Sequence, residues 1–229
     1  VHEAVHYRVS TRIWLNDLIS DVFAAMPILF DTEMYRQSHS KHHRYLNTDQ
    51  DPDWIRKHNH PSWQFPVSLK KILTTGPLFV LWGGAIEWLN FATFFCGLRP
   101  FQTLHTKKQL LQVTKRFLFF AVIGSLLTYF QAWKLFAIYW LVPFLFIFPT
   151  FQRIRSIAEH FGLSRTHELN STRNVIAPWY EAMLLGPHGV NYHLTHHFFP
   201  SVPFFRLKSL NDLLMTDAGY RRLAHQNQI

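Results

Sequence analysis

Residues 117–133 and 135–152 contain no formally charged side chain, and Lys134 alone separates them. A helix needs about 20 residues to cross a hydrocarbon core about 30 Å thick. Each run, extended slightly at its ends, is long enough. Together they predict a membrane hairpin over residues 115–152 that turns near Gln131 to Lys134. The runs FLFF and FLFIFP are apolar all round and leave no polar face for water, which argues against two helices of a soluble bundle. Pro143 and Pro149 are tolerable in a membrane helix with packed neighbours.

Composition agrees with this reading. Charged residues make up 16% of the 229 and aromatic residues 17%, against about 25% charged in an ordinary soluble domain. The mean hydropathy of -0.03 averages strongly apolar blocks with strongly polar ones. The formal charge of +9 suits an anionic partner, either nucleic acid or a membrane surface. Sequence order decides for the membrane. Lys70, Lys71, Lys107, Lys108, Lys115, Arg116, Arg153 and Arg155 flank the apolar blocks, as cytoplasmic ends of membrane segments require, and no nucleic-acid motif is present. The single cysteine, Cys96, excludes a disulfide framework and any cysteine-based zinc module.

Two further apolar stretches carry interruptions: residues 13–30 with Asn16, Asp17 and Asp21, and residues 72–98 with Glu87, Gly76, Gly83 and Gly84. Pro52, Pro61 and Pro66 mark residues 47–66 as a polar connection. The chain opens at Val1 with a chemically loaded motif starting at His2. It therefore reads as one membrane domain, residues 1–229, that lacks an upstream membrane segment.

Fifteen histidines fall into clusters. His2 and His6 lie at i, i+4 in HEAVH. His39, His42 and His43 form HSKHH, and His193, His196 and His197 form HLTHH. The i, i+3, i+4 spacing sets three imidazoles on one helix face, about 5–6 Å apart at Cβ, and neutral imidazole is a good ligand for iron, zinc, copper or nickel. At a histidine frequency of about 0.066, roughly 0.06 HxxHH matches are expected by chance in a chain of this length, and two occur. HEAVH also fits HExxH, the pattern of a zinc metalloprotease with Glu3 as general base. A protease of that kind leaves both HxxHH boxes without a role, and eight clustered histidines suit two metals better than one. A metal transporter is a third reading, but these boxes lie in polar segments and not within membrane helices.

HEAVH, HSKHH and NYHLTHHFFPSVP, in that order around a hydrophobic hairpin, resemble the three histidine boxes of the membrane fatty acid desaturase and hydroxylase superfamily. The resemblance runs from His2 to about Leu214. It implies an all-α integral membrane protein with a di-iron centre, dioxygen as co-substrate and a lipid or fatty acyl substrate. It also implies one extra ligand histidine just after the hairpin, which RSIAEH places at His160. The implied ligand set is His2, His6, His39, His42, His43, His160, His193, His196 and His197. Some relatives carry an asparagine four residues before the extra histidine, reaching one metal through water; Ser156 stands there in this chain. Glu159 and Asn191 are candidates to support the ligands from behind, since ligating histidines usually give their other N–H to a carboxylate or carbonyl, and His188, five residues before the third box, is a further candidate.

Within the superfamily, the HxxxH spacing of the first box and His193 at the head of the third resemble acyl-lipid desaturases. The alternative is a hydroxylase or ketolase of alkane, sphingoid or carotenoid substrates. No haem-binding domain, flavin fingerprint or iron–sulfur cysteine set is visible in these 229 residues, so electrons are expected from a separate donor protein of ferredoxin or haem-protein type, or from a domain upstream of Val1. Parity adds a constraint. The three boxes share a site only if residues 13–30 and 72–98 do not cross the membrane, so both are expected to be re-entrant or interfacial. The basic flanks then put the metal site on the cytoplasmic face.

Overall fold

The computed structural model describes residues 1–58, 63, 64, 68, 70, 107–163 and 168–226. Among them the only regular structure is helical. The expectation of a re-entrant segment at residues 72–98 lies outside the described residues. The chain divides into two compact units, Val1–Gln37 with Leu73–Pro149, and Ser38–Ile72 with Thr150–Ile229.

The first unit opens with a four-residue helix α1, His2–Val5, followed by α2, Ile13–Ile28. Ile13, Trp14, Leu18 and Phe23 face outward on α2, whereas Asn16, Ser20 and Asp21 are buried. The polar residues that interrupt this apolar stretch therefore form its packed side. Asp21 accepts the Thr32 N–H at 3.1 Å, and Ser20 accepts the Thr32 hydroxyl at 2.8 Å. Leu29 adopts a left-handed conformation, φ 63°, which ends α2, and the chain bends by 87° into α3, Thr32–Arg44. Asp31 caps α3 by accepting the Met34 N–H at 2.9 Å.

Arg36 ties this corner to α1. Its Nε donates to the Val5 carbonyl at 3.2 Å and its Nη2 to the Ala4 carbonyl at 3.1 Å, which satisfies the open end of a helix too short to hold itself. Asp17 and Glu33 balance the charge at 2.5 and 2.6 Å, and Asn16 is a second side-chain donor to the Ala4 carbonyl, at 2.9 Å. Replacing Arg36 by methionine leaves two carboxylates beside each other without their cation. A loss of about 3 kcal/mol or more is expected, read as a lower unfolding midpoint in detergent. Arg36→Lys should recover only part, because an ammonium cannot fork across the same carbonyls and carboxylate. An unchanged midpoint in Arg36→Met would remove the clamp.

The expected hairpin is present as α5, Lys107–Tyr129, and α6, Trp133–His160. They are joined at Phe130–Ala132, with Gln131 left-handed at φ 52°. Trp133 Nε1 donates to the Thr128 hydroxyl at 3.1 Å across the turn. Both helices are long and apolar enough to cross a membrane. Phe117, Tyr129, Phe130 and Tyr139 lie on the outside, each more than two thirds exposed, an arrangement suited to lipid and not to water. Wide π-helical turns at Ala137–Leu141 and Pro143–Ile147 accommodate Pro143, which has no N–H to offer. Phe144 packs with Ala25 and Phe30 in the core of this unit.

In the second unit, α4, Pro52–His58, follows the second histidine box. After α6 the chain turns at Gly162, φ 72°, and folds back. Thr172 Oγ1 and the Arg173 N–H both donate to the Glu159 carbonyl, at 2.9 and 3.2 Å, closing the end of α6. Then come α7, Trp179–Leu185, α8, His193–Phe198, α9, Phe204–Leu214, and α10, Ala218–Gln226. Leu194, Tyr220 and Ala224 form a small core, flanked by Leu169, Phe198, Leu214 and Met215.

Candidate metal centre

Three helices bring the clustered histidines into the second unit. The last turns of α3 present His39, His42 and His43, α6 ends on His160, and α8 holds His193, His196 and His197. His42, His160, His193 and His197 each offer a ring nitrogen, and the four lie within 4.8 Å of one another. His193 Nε2 is 2.9 Å from His160 Nε2 and 3.1 Å from His197 Nε2. His43 Nε2 likewise faces His39 Nε2 at 3.0 Å and His196 Nε2 at 3.1 Å. The His43 and His197 rings stack at 4.2 Å, so the two groups adjoin.

One imidazole nitrogen carries either a lone pair or a single proton, so it cannot form two direct hydrogen bonds of this kind to neighbouring nitrogens. A cation shared by the lone pairs resolves the conflict. Two imidazoles at right angles on a metal, each bonded at about 2.1 Å, have nitrogens about 3.0 Å apart; tetrahedral bonding separates them by about 3.4 Å. The buried Nδ1 of His160 meets no hydrogen-bonding partner among the described residues. The donor set thus fits metal ions.

Asp51, buried between α3 and α4, holds His42. Its carboxylate lies 3.0 and 3.1 Å from His42 Nδ1 and also accepts the Asn47 and Asp53 N–H groups, at 2.9 Å each. With Nδ1 committed, Nε2 is the nitrogen left for a metal. Glu159 is buried too. Its Oε1 accepts Arg155 Nε at 2.6 Å while its Oε2 stands 3.6 Å from His193 Nε2, the nitrogen that also faces His160 and His197. Asn191 and His188 stand elsewhere. Asn191 exchanges hydrogen bonds with the backbone of Val175, and the exposed His188 packs its ring on Phe204 at 5.2 Å. Ser156 accepts the buried Lys57 ammonium at 2.6 Å, and Asp53 is the other partner of that ammonium. His2 and His6 lie in the first unit, rings 5.1 Å apart.

Burial, reinforced by neighbouring imidazoles, holds His193 and His197 neutral, with pKa values well below the ordinary range. His6 is lowered to about 4 by burial first and then by His2. A depressed histidine pKa means that the unfolded chain binds protons which the folded one refuses. Stability therefore falls as the pH drops through the unfolded value of about 6.5. Metal-free protein should keep a constant unfolding midpoint above about pH 7.5 and lose it steadily between pH 6.5 and 4. A midpoint flat through that window would show that the folded protein admits the protons.

The fatty acid desaturase family model matches residues 1–228. An omega-6 fatty acid desaturase, chloroplastic, of Glycine max is 26% identical over 95% of this chain and 53% of its own length. The dihydrorhizobitoxine desaturase of Bradyrhizobium elkanii is 28% identical over 97% of the chain and 65% of its own. An sn-1 oleoyl-lipid 12-desaturase of Anabaena variabilis is 26% identical over 90% and 61%. A membrane hairpin joined to converging histidine boxes, matched by the family model along nearly its whole length, makes this chain a member of the fatty acid desaturase family. The chain spans about half to two thirds of the length of these relatives.

Proposed function

We propose that the protein is a dioxygen-dependent di-iron desaturase that introduces a double bond into a fatty acyl chain of a membrane lipid. The observation that carries this is the pair of adjoining imidazole groups in the second unit, each with nitrogens about 3 Å apart. His42, His160, His193 and His197 would hold one metal. His39, His43 and His196 would hold the other, and the family pattern adds His2 and His6 to the ligand set. Both HxxHH boxes contribute to these groups, whereas a metalloprotease with one zinc at HEAVH would leave them without a role. Bound iron supplies the electrons that activate dioxygen, the chemistry that an unactivated methylene demands and acid–base side chains cannot provide.

The chain's own residues position and shield. Asp51 orients His42, Glu159 stands beside His193, and burial of the imidazoles keeps their lone pairs available at neutral pH. An acyl-lipid substrate is favoured by the relatives named for omega-6 fatty acid and oleoyl-lipid. Electrons would come from a separate donor protein, and the basic flanks of the hairpin favour a cytoplasmic site. Labelling a cysteine placed at Thr48 only from the opposite side would reverse that orientation. The activity is tested by lipid mass spectrometry after expression of the full-length protein in a desaturase-null host. New unsaturated acyl chains are expected; hydroxylated or keto products would move the protein to the hydroxylase or ketolase class, and an unchanged profile with iron-loaded protein and a donor present would refute both.

A further inference from the structure

Helix α8 has six residues and carries three of the clustered histidines, yet its N-cap residue, Tyr192, supplies no side-chain acceptor to the open N–H groups. So short a helix does not hold itself in water. The missing cap comes from Asn174, 21 residues upstream of Thr195, whose Oδ1 accepts the Thr195 N–H at 3.2 Å. Asn174 Nδ2 donates to Asn211 Oδ1 on α9 at 2.9 Å and to Thr195 Oγ1 at 3.2 Å. Thr195 Oγ1 in turn lies 3.1 Å from the Tyr220 hydroxyl on α10. Asn174 and Thr195 are fully buried, and Asn211 and Tyr220 nearly so. Thr195 stands between His193 and His196, so whatever fixes it fixes the rotation of all three imidazoles.

We propose that Asn174, Thr195, Asn211 and Tyr220 form a positioning clamp for the third histidine box, with Asn174 acting as a helix cap from outside the helix. The chain beyond the last histidine thereby belongs to the metal centre through α9 and α10. A buried asparagine matches this place because it must accept from an N–H and donate to another side chain at once. Leucine offers neither group, and aspartate would set a second acceptor against Asn211 Oδ1. The proposal rests on the reading of the histidines as metal ligands.

The test measures metal per chain, the rate of metal release to a chelator, and the ligand-field spectrum after cobalt substitution in detergent-purified Asn174→Leu, Thr195→Val and Thr195→Ser. Asn174→Leu should release metal at least tenfold faster and show an altered cobalt spectrum. Thr195→Val should shift both in the same direction, and Thr195→Ser, which retains the hydroxyl, should restore wild-type behaviour. If Asn174→Leu does not fold, the valine–serine pair decides. Wild-type release rates and spectra in folded Asn174→Leu, or in Thr195→Val, would overturn the clamp. So would a uniform loss of stability with the cobalt spectrum unchanged. A wild-type protein without stoichiometric metal would instead overturn the ligand reading, and the clamp's role with it.

Discussion

His160→Ala is expected to abolish product formation and to lower the metal content of the purified protein. Loss of a supporting residue behind a ligand costs about 10–100-fold in metal affinity, and loss of a ligand should exceed that. His160 is the last residue of α6, and its Nε2 faces His193 Nε2 at 2.9 Å. Alanine would leave one position open to water and His193 without its closest neighbour. His58→Ala is the control. His58 is exposed at the end of α4 and packs on Trp54 at 4.4 Å, so its loss should leave both readouts nearly unchanged. Full activity in well-expressed His160→Ala would remove His160 from the ligand set.

The second large effect is expected at Asp51. An amide in place of its carboxylate no longer supports proton sharing from His42 Nδ1, so Nε2 becomes a weaker base and metal affinity in Asp51→Asn should fall about 10–100-fold. Asp51→Ala should do more. It also strips the acceptor from the Asn47 and Asp53 N–H groups, loosening the turn whose Asn47 side chain donates to the Ser171 carbonyl at 2.6 Å. Chelator competition measures the first effect and thermal unfolding the second. Wild-type affinity in Asp51→Asn would confine Asp51 to holding the turn.

The hairpin was legible because two uncharged runs of membrane length leave a chain few choices, and its bend at Phe130–Ala132 lies where the interruption by Lys134 suggested. The clustering of histidines on one face of α3 and of α8 was legible for a related reason: i, i+3, i+4 spacing is itself a statement of helical geometry. What the sequence hid is whatever acts across space. Asp51 sits nine residues beyond His42 on the far side of a turn, and nothing in the run DQDPD distinguishes it from its neighbours. Asn174 caps a helix that begins 19 residues later. Asn191 and His188, near the third box in sequence, are taken up by Val175 and Phe204. In α2 the polar residues looked like interruptions of an apolar segment, yet they form the side that packs on Thr32 and Arg36. Residues in lipid-facing helices turn polar groups inward, and composition alone does not say which side is in.

The pairing of His43 with His196 joins positions 153 residues apart, and this sets an order on biosynthesis. Contacts so distant in sequence close late, after the loop between them has been made and its ends brought together. A ribosome adding about 5–20 residues per second has already delivered the HSKHH helix and the whole hairpin before HLTHH leaves the exit tunnel. During that interval the second box waits without its partners. On the proposed function, metal loading would be a late event in the life of this chain, and a nascent form halted before residue 193 should insert its hairpin into a bilayer without holding metal.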